Sequence, residues 1–472
     1  MSVHVFLGPT LSPERALAIV PDATIHPPAA HGDLLRLPVG PDDVVLIVDG
    51  FFHQRAPVRH KEILVLLARG ATVVGCSSMG ALRAAELHPH GMIGIGRVFQ
   101  MFVDAEINAD DEVAVAHAAD DDFRAVGDPL VNIRYGLEQA QDQGVITADE
   151  ALAVLRQAQL LPYTARSWRL ILRGLRGERP DLCDRLAVWV EANRPDLDLK
   201  KRDAIAALTA IAGRQLPVPE GPPVAGPRWQ TAYVQAWSLR YRTTSVGTAA
   251  VSRAAEIHYT QLFDPGFPQR WYEIAVRCMA GGPLHPRSGQ LPAYWEDQLL
   301  QRATQQGIVL DTLREGQVNR WLTAAERGSL PLRDQLLRFL VRSSTLSPGV
   351  PITSDIDGWC EQLLGSTSRA GDGVVRSLAA NQQMSQGDRR RTPRAIKASV
   401  LARDLTREWS LDDTDSQALE IAARDRGFAS FATAVEVFRQ FWAERRNAPA
   451  QPQHSIAAIQ STAHAPEQVT TS

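Results

Sequence analysis

The sequence predicts an α/β N-terminal domain with a parallel sheet, followed by mainly α-helical regions. Three observations carry that expectation. The first hundred residues alternate short β-branched runs with segments of helical period. Residues 44–48 (VVLIV) form an unbroken apolar run of strand length, the pattern of a parallel strand buried on both faces. From about Val131 onward the apolar residues recur mostly at helical spacing.

Taken in order, residues 3–7 are a strand run ending at Gly8-Pro9, and Ser12 is placed to cap a helix reaching Val20. A loop containing Pro and His leads to the 44–48 strand, which Asp49-Gly50 closes. Residues 58–68 carry Val58, Ile63, Leu64, Leu66 and Leu67 at helical spacing and stop near Gly70. Residues 72–76 are strand-like and 79–87 helical, completing a βαβα unit. Glycines and acidic clusters between Gly91 and Phe123 read as loops around a functional face, with one short helix near 113–117. Thr147 and Glu150 form a capping box, and helices continue to about Ala212.

With 472 residues the chain has room for roughly three domains. The boundaries read as an α/β core with helical extension over 1–213, a linker over 214–228 with five prolines, a helical region over 229–446 and a disordered tail over 447–472. Residues 366–394, rich in Gly, Ser and Arg, read as a mobile connector within the helical region. A hydrophobic content of 44% and a charged content of 22% exclude wholesale disorder. Fifty basic against 53 acidic side chains leave a net charge of -3, so no global positive field favours nucleic acid or an anionic membrane. Four cysteines without CxxC spacing suit a reducing compartment. With no secretory signal and no apolar run of about 18 residues, the expected location is cytoplasmic.

The chemistry-bearing stretch is GCSSMGALRAAEL, residues 75–87, which places Ser77 and Ser78 between a buried strand and a helix. In open α/β sheets ligands bind at such junctions, and the first N–H groups of the helix can receive an oxyanion. Cys76-x-Ser78-x-Gly80 resembles the G-x-S-x-G elbow with cysteine in place of its first glycine. Either serine reads equally as an ordinary helix N-cap. Lys61, on the crossover between the strands ending at Asp49 and Cys76, is the candidate base of a Ser-Lys pair once desolvation or a neighbouring cation, Arg59 or Arg83, makes it neutral. Its alternative place is a solvated helix face beside Glu62.

The segments FLGPTLS, GFFHQRAPVRHKEIL, GCSSMGALRAAELHPHGMIGIGRVF, DDEVAVAH and VNIR resemble the TfuA family, over roughly residues 1–175. That resemblance implies an accessory protein of YcaO-dependent peptide thioamidation. It implies a Ser-Lys site that hydrolyses the C-terminal thiocarboxylate of a small ubiquitin-like sulfur-carrier protein, with sulfide passed to a YcaO-type enzyme that activates the peptide amide with ATP. The precursor peptide is reached through that partner. Carried onto this chain, Lys61 is the base and Ser78 the nucleophile, with Ser77 as alternate; Cys76 stands where the family often has alanine, and no cofactor is implied.

Asp49, His60, Arg83, Asn132 and Arg134 complete the candidate substrate- or partner-binding set. Asp49 is placed to orient Lys61 or to cap; Asn132 and Arg134 either support the site or bind a carrier carboxylate bidentately, or else make structural hydrogen bonds. The run Asp110-Asp111-Glu112, with Asp120-Asp121-Asp122 beyond it, reads as a solvated loop or a Mg²⁺ site. Arg389-Arg390-Arg391 reads as a solvated loop, since no aromatic platform accompanies it. The histidines lack H-x-x-x-H spacing, so no metal site is expected. Two readings stay open: an accessory hydrolase, and a non-catalytic adaptor that docks a YcaO enzyme and a sulfur carrier. A nucleotide-binding α/β protein is the weaker third, for want of a glycine-rich phosphate loop. Tryptophans Trp229, Trp237, Trp271 and Trp295 read either as partner anchors or as the core of a helical domain.

Overall fold

The computed structural model describes residues 1–53, 55–117, 123, 125–219, 221, 231–284, 292–353, 355–365, 369–386 and 392–447. Expectations for Asp120-Asp121-Asp122, Trp229, Arg389-Arg390-Arg391, most of the proline-rich linker and the tail beyond Asn447 fall outside the described residues. Two compact units emerge, one of residues 1–243 with 350–354 and one of 244–349 with 355–472.

The first unit carries five parallel strands: β1 (Val3–Phe6), β2 (Ala23–His26), β3 (Val44–Ile47), β4 (Thr72–Cys76) and β5 (Ile93–Ile95), in the order β2-β1-β3-β4-β5. Its helices are α1 (Pro13–Ile19), α2 (Asp33–Arg36), α3 (His60–Ala68), α4 (Met79–Leu87), α5 (Arg97–Val103), α6 (Leu130–Asp142), α7 (Ala148–Gln159), α8 (Trp168–Leu175), α9 (Pro180–Asn193), α10 (Leu199–Ala212) and α11 (Ala232–Tyr241). Ser12 caps α1 and Thr147 and Glu150 box α7, as their side chains dictate.

Alternation along each strand divides the core in two. Val45 and Ile47 pack with Ile63, Leu66, Met79 and Ala84 of α3 and α4 on one face. Leu46 and Val48 pack with Ala16 of α1 and with Ala204, Ala207, Leu208 and Ile211 of α10 on the other. The sheet is therefore doubly wound, and the late helix α10 returns to cover the face that α1 leaves partly open. A separate cluster of Ile133, Leu137, Val154, Trp168, Ile171, Leu186 and Val190 holds α6 to α9 together.

Several local expectations are corrected. β2 is a half-exposed edge strand of sequence ATIH, too polar and short to announce itself. β5 has three residues, Ile-Gly-Ile. Residues 97–103 are helical rather than loop, and 113–117 are not helical: the acidic run is a single 3₁₀ turn, after which His117 bridges Ala125. No helix among the described residues is long and apolar enough to cross a membrane.

The second unit opens with a two-stranded sheet, Thr243–Val246 with Ala249–Ser252, that the helical expectation lacked. Helices then dominate, around Leu262, Leu401, Leu405, Trp409, Phe438, Phe441 and Trp442. Within the stretch read as a mobile connector lies the helix Ala370–Ser385, anchored by buried Val374 and Ser377. Its glycines fooled the composition: Gly373 lets the helix approach Tyr259, whose ring atoms lie 2.1 Å from where a Cβ would stand. Trp271 is buried in this unit, Trp295 half-buried, and Trp237 belongs to α11 of the first unit, edge-on to His31.

Asp203 on α10 pins α5 by accepting from the N–H groups of Arg97 (3.0 Å) and Val98 (2.8 Å). Burial lifts its carboxyl to about 6 despite those bonds. The folded state thus holds a proton more tightly than the unfolded chain, so this contribution to stability is present below pH 4 and is lost as pH rises through 6. We expect Asp203→Asn to flatten that falling limb, by at most about 3 kcal/mol, in urea titrations compared between pH 4 and pH 7.

Candidate functional site

The sheet order places its topological switch point between β1 and β3, and a carboxylate occupies it. Asp49, just past β3 and only 2% exposed, accepts from the N–H of Gly8 (2.9 Å), the N–H of Thr10 (3.1 Å) and the hydroxyl of Thr10 (2.7 Å). The loop after β1 is thereby tied to the end of β3, at the rim where open sheets bind ligands.

Next to it, β4 turns into α4 through Ser77 and Ser78. Ser77 sits at φ +65°, a left-handed conformation that costs a non-glycine residue about 1 kcal/mol or more and makes the turn abrupt. The helix starts with almost no clearance. A Cβ on Gly80 would lie 1.7 Å from the Ile47 carbonyl oxygen, and one on Gly75 2.1 Å from that of Gly80. Only glycine admits this approach, and it brings the N-terminus of α4 down onto the strand ends.

The two serines then part company. The Ser77 hydroxyl is wholly buried and donates to the Lys200 carbonyl at 2.7 Å. Ser78 occupies the N-cap position of α4, yet its side chain makes no capping bond; its hydroxyl donates to the Val113 carbonyl at 3.4 Å and lines a pocket of about 110 Å³. Asp49, Gly50, Phe51, His117 and Lys200 line the same pocket.

Lys200 comes from the first turn of α10, 123 residues after Ser77, and is 3% exposed. Three elements hold it. Its N–H donates to the Asn132 side-chain oxygen at 3.2 Å, its carbonyl accepts from Ser77, and its Nζ donates to the Val113 carbonyl at 2.9 Å. Ser78 and Lys200 therefore share one acceptor. Burial draws the Lys200 ammonium below its ordinary range, partly opposed by the negative charges of Asp49 and Asp198. A lysine so placed can accept a proton. Met79, the first residue of α4 and the neighbour of Ser78, has an N–H with no acceptor inside its own helix.

Val113 is itself fixed from both sides. Arg134 forks onto buried Glu112 at 2.9 and 2.7 Å, and Arg166, 1% exposed, donates to the Asp111 carbonyl and carboxylate, each at 2.9 Å. Asp111 and Glu112 thus serve as staples for the Val113 segment. Among the described residues no three His, Cys, Asp or Glu side chains are grouped to hold a metal ion.

Residues 49–167 of this chain match the family model described as TfuA-like protein. The chain carries a TfuA-like domain. None of the curated proteins compared with the chain matches it.

Within the TfuA-like domain and its flanks, the expected site residues fall into two groups. Asp49, Ser77, Ser78, Asn132 and Arg134 converge on the pocket or on the groups that frame it. Asn132 also donates to Asp198 at 2.9 Å, which sets the start of α10. Lys61, His60 and Arg83 do not line the pocket. Lys61 is the second residue of α3 and half-buried. Glu62 beside it is taken by His31 (2.6 Å) and the Gly32 N–H (2.7 Å). His60 and Arg83 instead meet Glu86, at 2.7 and 2.6 Å, and Arg83 also donates to the Val58 carbonyl, bracing α3 against α4. Cys76 is fully buried, and that burial pushes its thiol up, so it stays protonated and inert.

Lys200 escaped the sequence reading, although a signal for it exists. Lys200, Asp203, Ala204, Ala207, Leu208 and Ile211 recur at the spacing of one helix face, and all are buried. Two charges on an apolar stripe mark a helix that delivers polar groups inward. We expect Gly80→Ala to destabilise the protein by about 3 kcal/mol or more in urea unfolding, because its Cβ must displace a backbone carbonyl rather than a side chain.

Proposed function

We propose that this protein hydrolyses the C-terminal thiocarboxylate of a small ubiquitin-like sulfur-carrier protein, with Ser78 as nucleophile and Lys200 as base. In this reading Lys200 takes the role that the sequence resemblance suggested for Lys61. The observation that carries it is the common acceptor: a buried lysine, drawn toward its neutral form, and a serine free of capping duty line one pocket and both donate to the buried Val113 carbonyl. The substrate, the YcaO-type partner that receives the sulfide and the precursor peptide it modifies follow from the TfuA likeness.

The chemistry balances in two steps. Neutral Lys200 takes the Ser78 proton as Oγ bonds to the thiocarboxylate carbon, while the Met79 N–H supports the developing oxyanion. The C–S bond then breaks, Lys200 returns the proton to sulfur, and hydrosulfide leaves an acyl ester on Ser78. Water repeats the sequence: Lys200 takes its proton, the hydroxide adds to the ester carbon, and the proton returns to Ser78 Oγ as the carboxylic acid departs. One thiocarboxylate and one water give one hydrosulfide and one carboxylic acid, whose proton passes to solvent. Asp49, close enough to influence Lys200, steadies the ammonium form whenever it appears.

Sulfide release from a purified thiocarboxylated carrier tests the reading. Ser78→Ala should lose about a thousandfold or more, and Ser77→Ala far less. Lys200→Arg should fail as fully as Lys200→Met, because a guanidinium stays protonated. The rate should rise along a basic limb centred below the ordinary lysine value of about 10.4. An active Lys200→Met protein together with a dead Lys61→Ala protein would return the base role to Lys61. A wild-type protein that binds carrier and YcaO enzyme yet releases no sulfide would leave the adaptor reading.

A further inference from the structure

The second unit contains a pocket unrelated to the Ser78 chemistry. It measures about 720 Å³ and lies between the helices Glu315–Trp321, Ser416–Asp425 and Phe431–Phe438. Its wall holds one indole with two guanidiniums over it: Arg424 at 4.8 Å and Arg320 at 5.2 Å from the ring centre of Trp321. Among the described residues neither arginine forms an ion pair with a carboxylate. Glu420 is the one acidic group on the wall, and it accepts the N–H of Phe431 at 3.1 Å. Burial lowers the Arg424 guanidinium below its ordinary value, eased by Glu420 and reinforced by the like charge of Arg320. Two cations stacked on one ring, with Glu420 as their single nearby counter-charge and no ion pair to it, leave room for a further anion.

A second feature narrows the anion. The side-chain oxygen of Asn319, a residue of the same wall, is buried and accepts no hydrogen bond, an acceptor left without a donor. Orthophosphate has no N–H to give it, and Glu420 repels the concentrated charge of a polyphosphate more strongly than singly charged carboxylates spaced along a chain. A peptide supplies both needs, carboxylates from its side chains and N–H groups from its backbone, and Trp321 and Phe431 offer apolar surface for the residues between. The site is also well anchored. Arg342, 2% exposed, forks onto Glu326 and Asp425 and donates to the Trp321 carbonyl at 2.8 Å.

We propose that this pocket binds an acidic peptide segment, its carboxylates on Arg320 and Arg424 and a backbone N–H on the Asn319 side chain. The assignment is independent of the hydrolase reading, since it uses no residue of the first unit.

The test is a titration of the full-length protein with a fluorescein-labelled, end-capped octapeptide of alternating Glu and Leu, and with the same peptide carrying Gln for Glu. The Glu peptide should bind at least about tenfold tighter than the Gln peptide, and Arg320→Gln and Arg424→Gln should each weaken it about tenfold. Asn319→Leu should weaken both peptides alike. Arg333→Gln, which removes an arginine already paired with Glu296 and Asp297, and Ser78→Ala should leave binding unchanged. Equal affinity for the two peptides, no binding of either, or insensitivity to both arginine substitutions overturns the proposal. Displacement of the peptide by equimolar ATP with Mg²⁺ overturns it in favour of a nucleotide. Circular dichroism of each variant separates lost binding from lost fold.

Discussion

Everything at the site depends on the carboxylate of Asp49, which spans the gap between the ends of β1 and β3. In a doubly wound sheet the chain leaves these two strands in opposite directions, so nothing in the strand ladder itself ties their exits together. Three hydrogen bonds from Gly8 and Thr10 do so. They also hold a negative charge at fixed distance from a buried lysine, and the two requirements, structural and electrostatic, fall on one side chain.

Around this tie the unit is built from close approaches rather than from large side chains. Gly75 and Gly80 let α4 rest on β3 and β4 at backbone contact, which sets the height of Ser78 above the sheet. The Val113 carbonyl is set by a different device, a pair of arginine forks gripping the residues just before it. Buried charges of this kind add little net stability, because desolvation offsets most of the attraction. Their effect is positional: Glu112 and Asp111 each have one partner geometry, and the carbonyl between the two catalytic candidates inherits that order.

Much of this was legible in the sequence, and what was not has physical reasons. The buried strand VVLIV, the capped helix after Ser12 and the strand-to-helix turn at Ser77-Ser78 depend on local patterns, and local patterns are what a sequence displays. β2 and β5 were invisible because an edge strand of four residues and a strand of three lack the length for a period to show. Asn132 and Arg134 were singled out from sequence, but their partners, Asp198 and Glu112, are set by tertiary packing. Lys200 illustrates the limit most clearly. Its place at the pocket comes from being brought back across the sheet by α10: the buried face of that helix shows in its own spacing, while the partners it meets, far away along the chain, do not.

That return of α10 has a consequence in time as well as in space. The ribosome emits the turn that bears Ser77 and Ser78 early and Lys200 more than a hundred residues later. On the proposed pairing, Ser78 has no proton acceptor until α10 docks. An incomplete chain, or a fragment cut to the matched residues 49–167, carries the serine without the groups that could activate it. On the proposed pairing, the order of the polypeptide acts as a safety catch: the site is complete only when the unit has closed upon itself, and a partly made copy is silent.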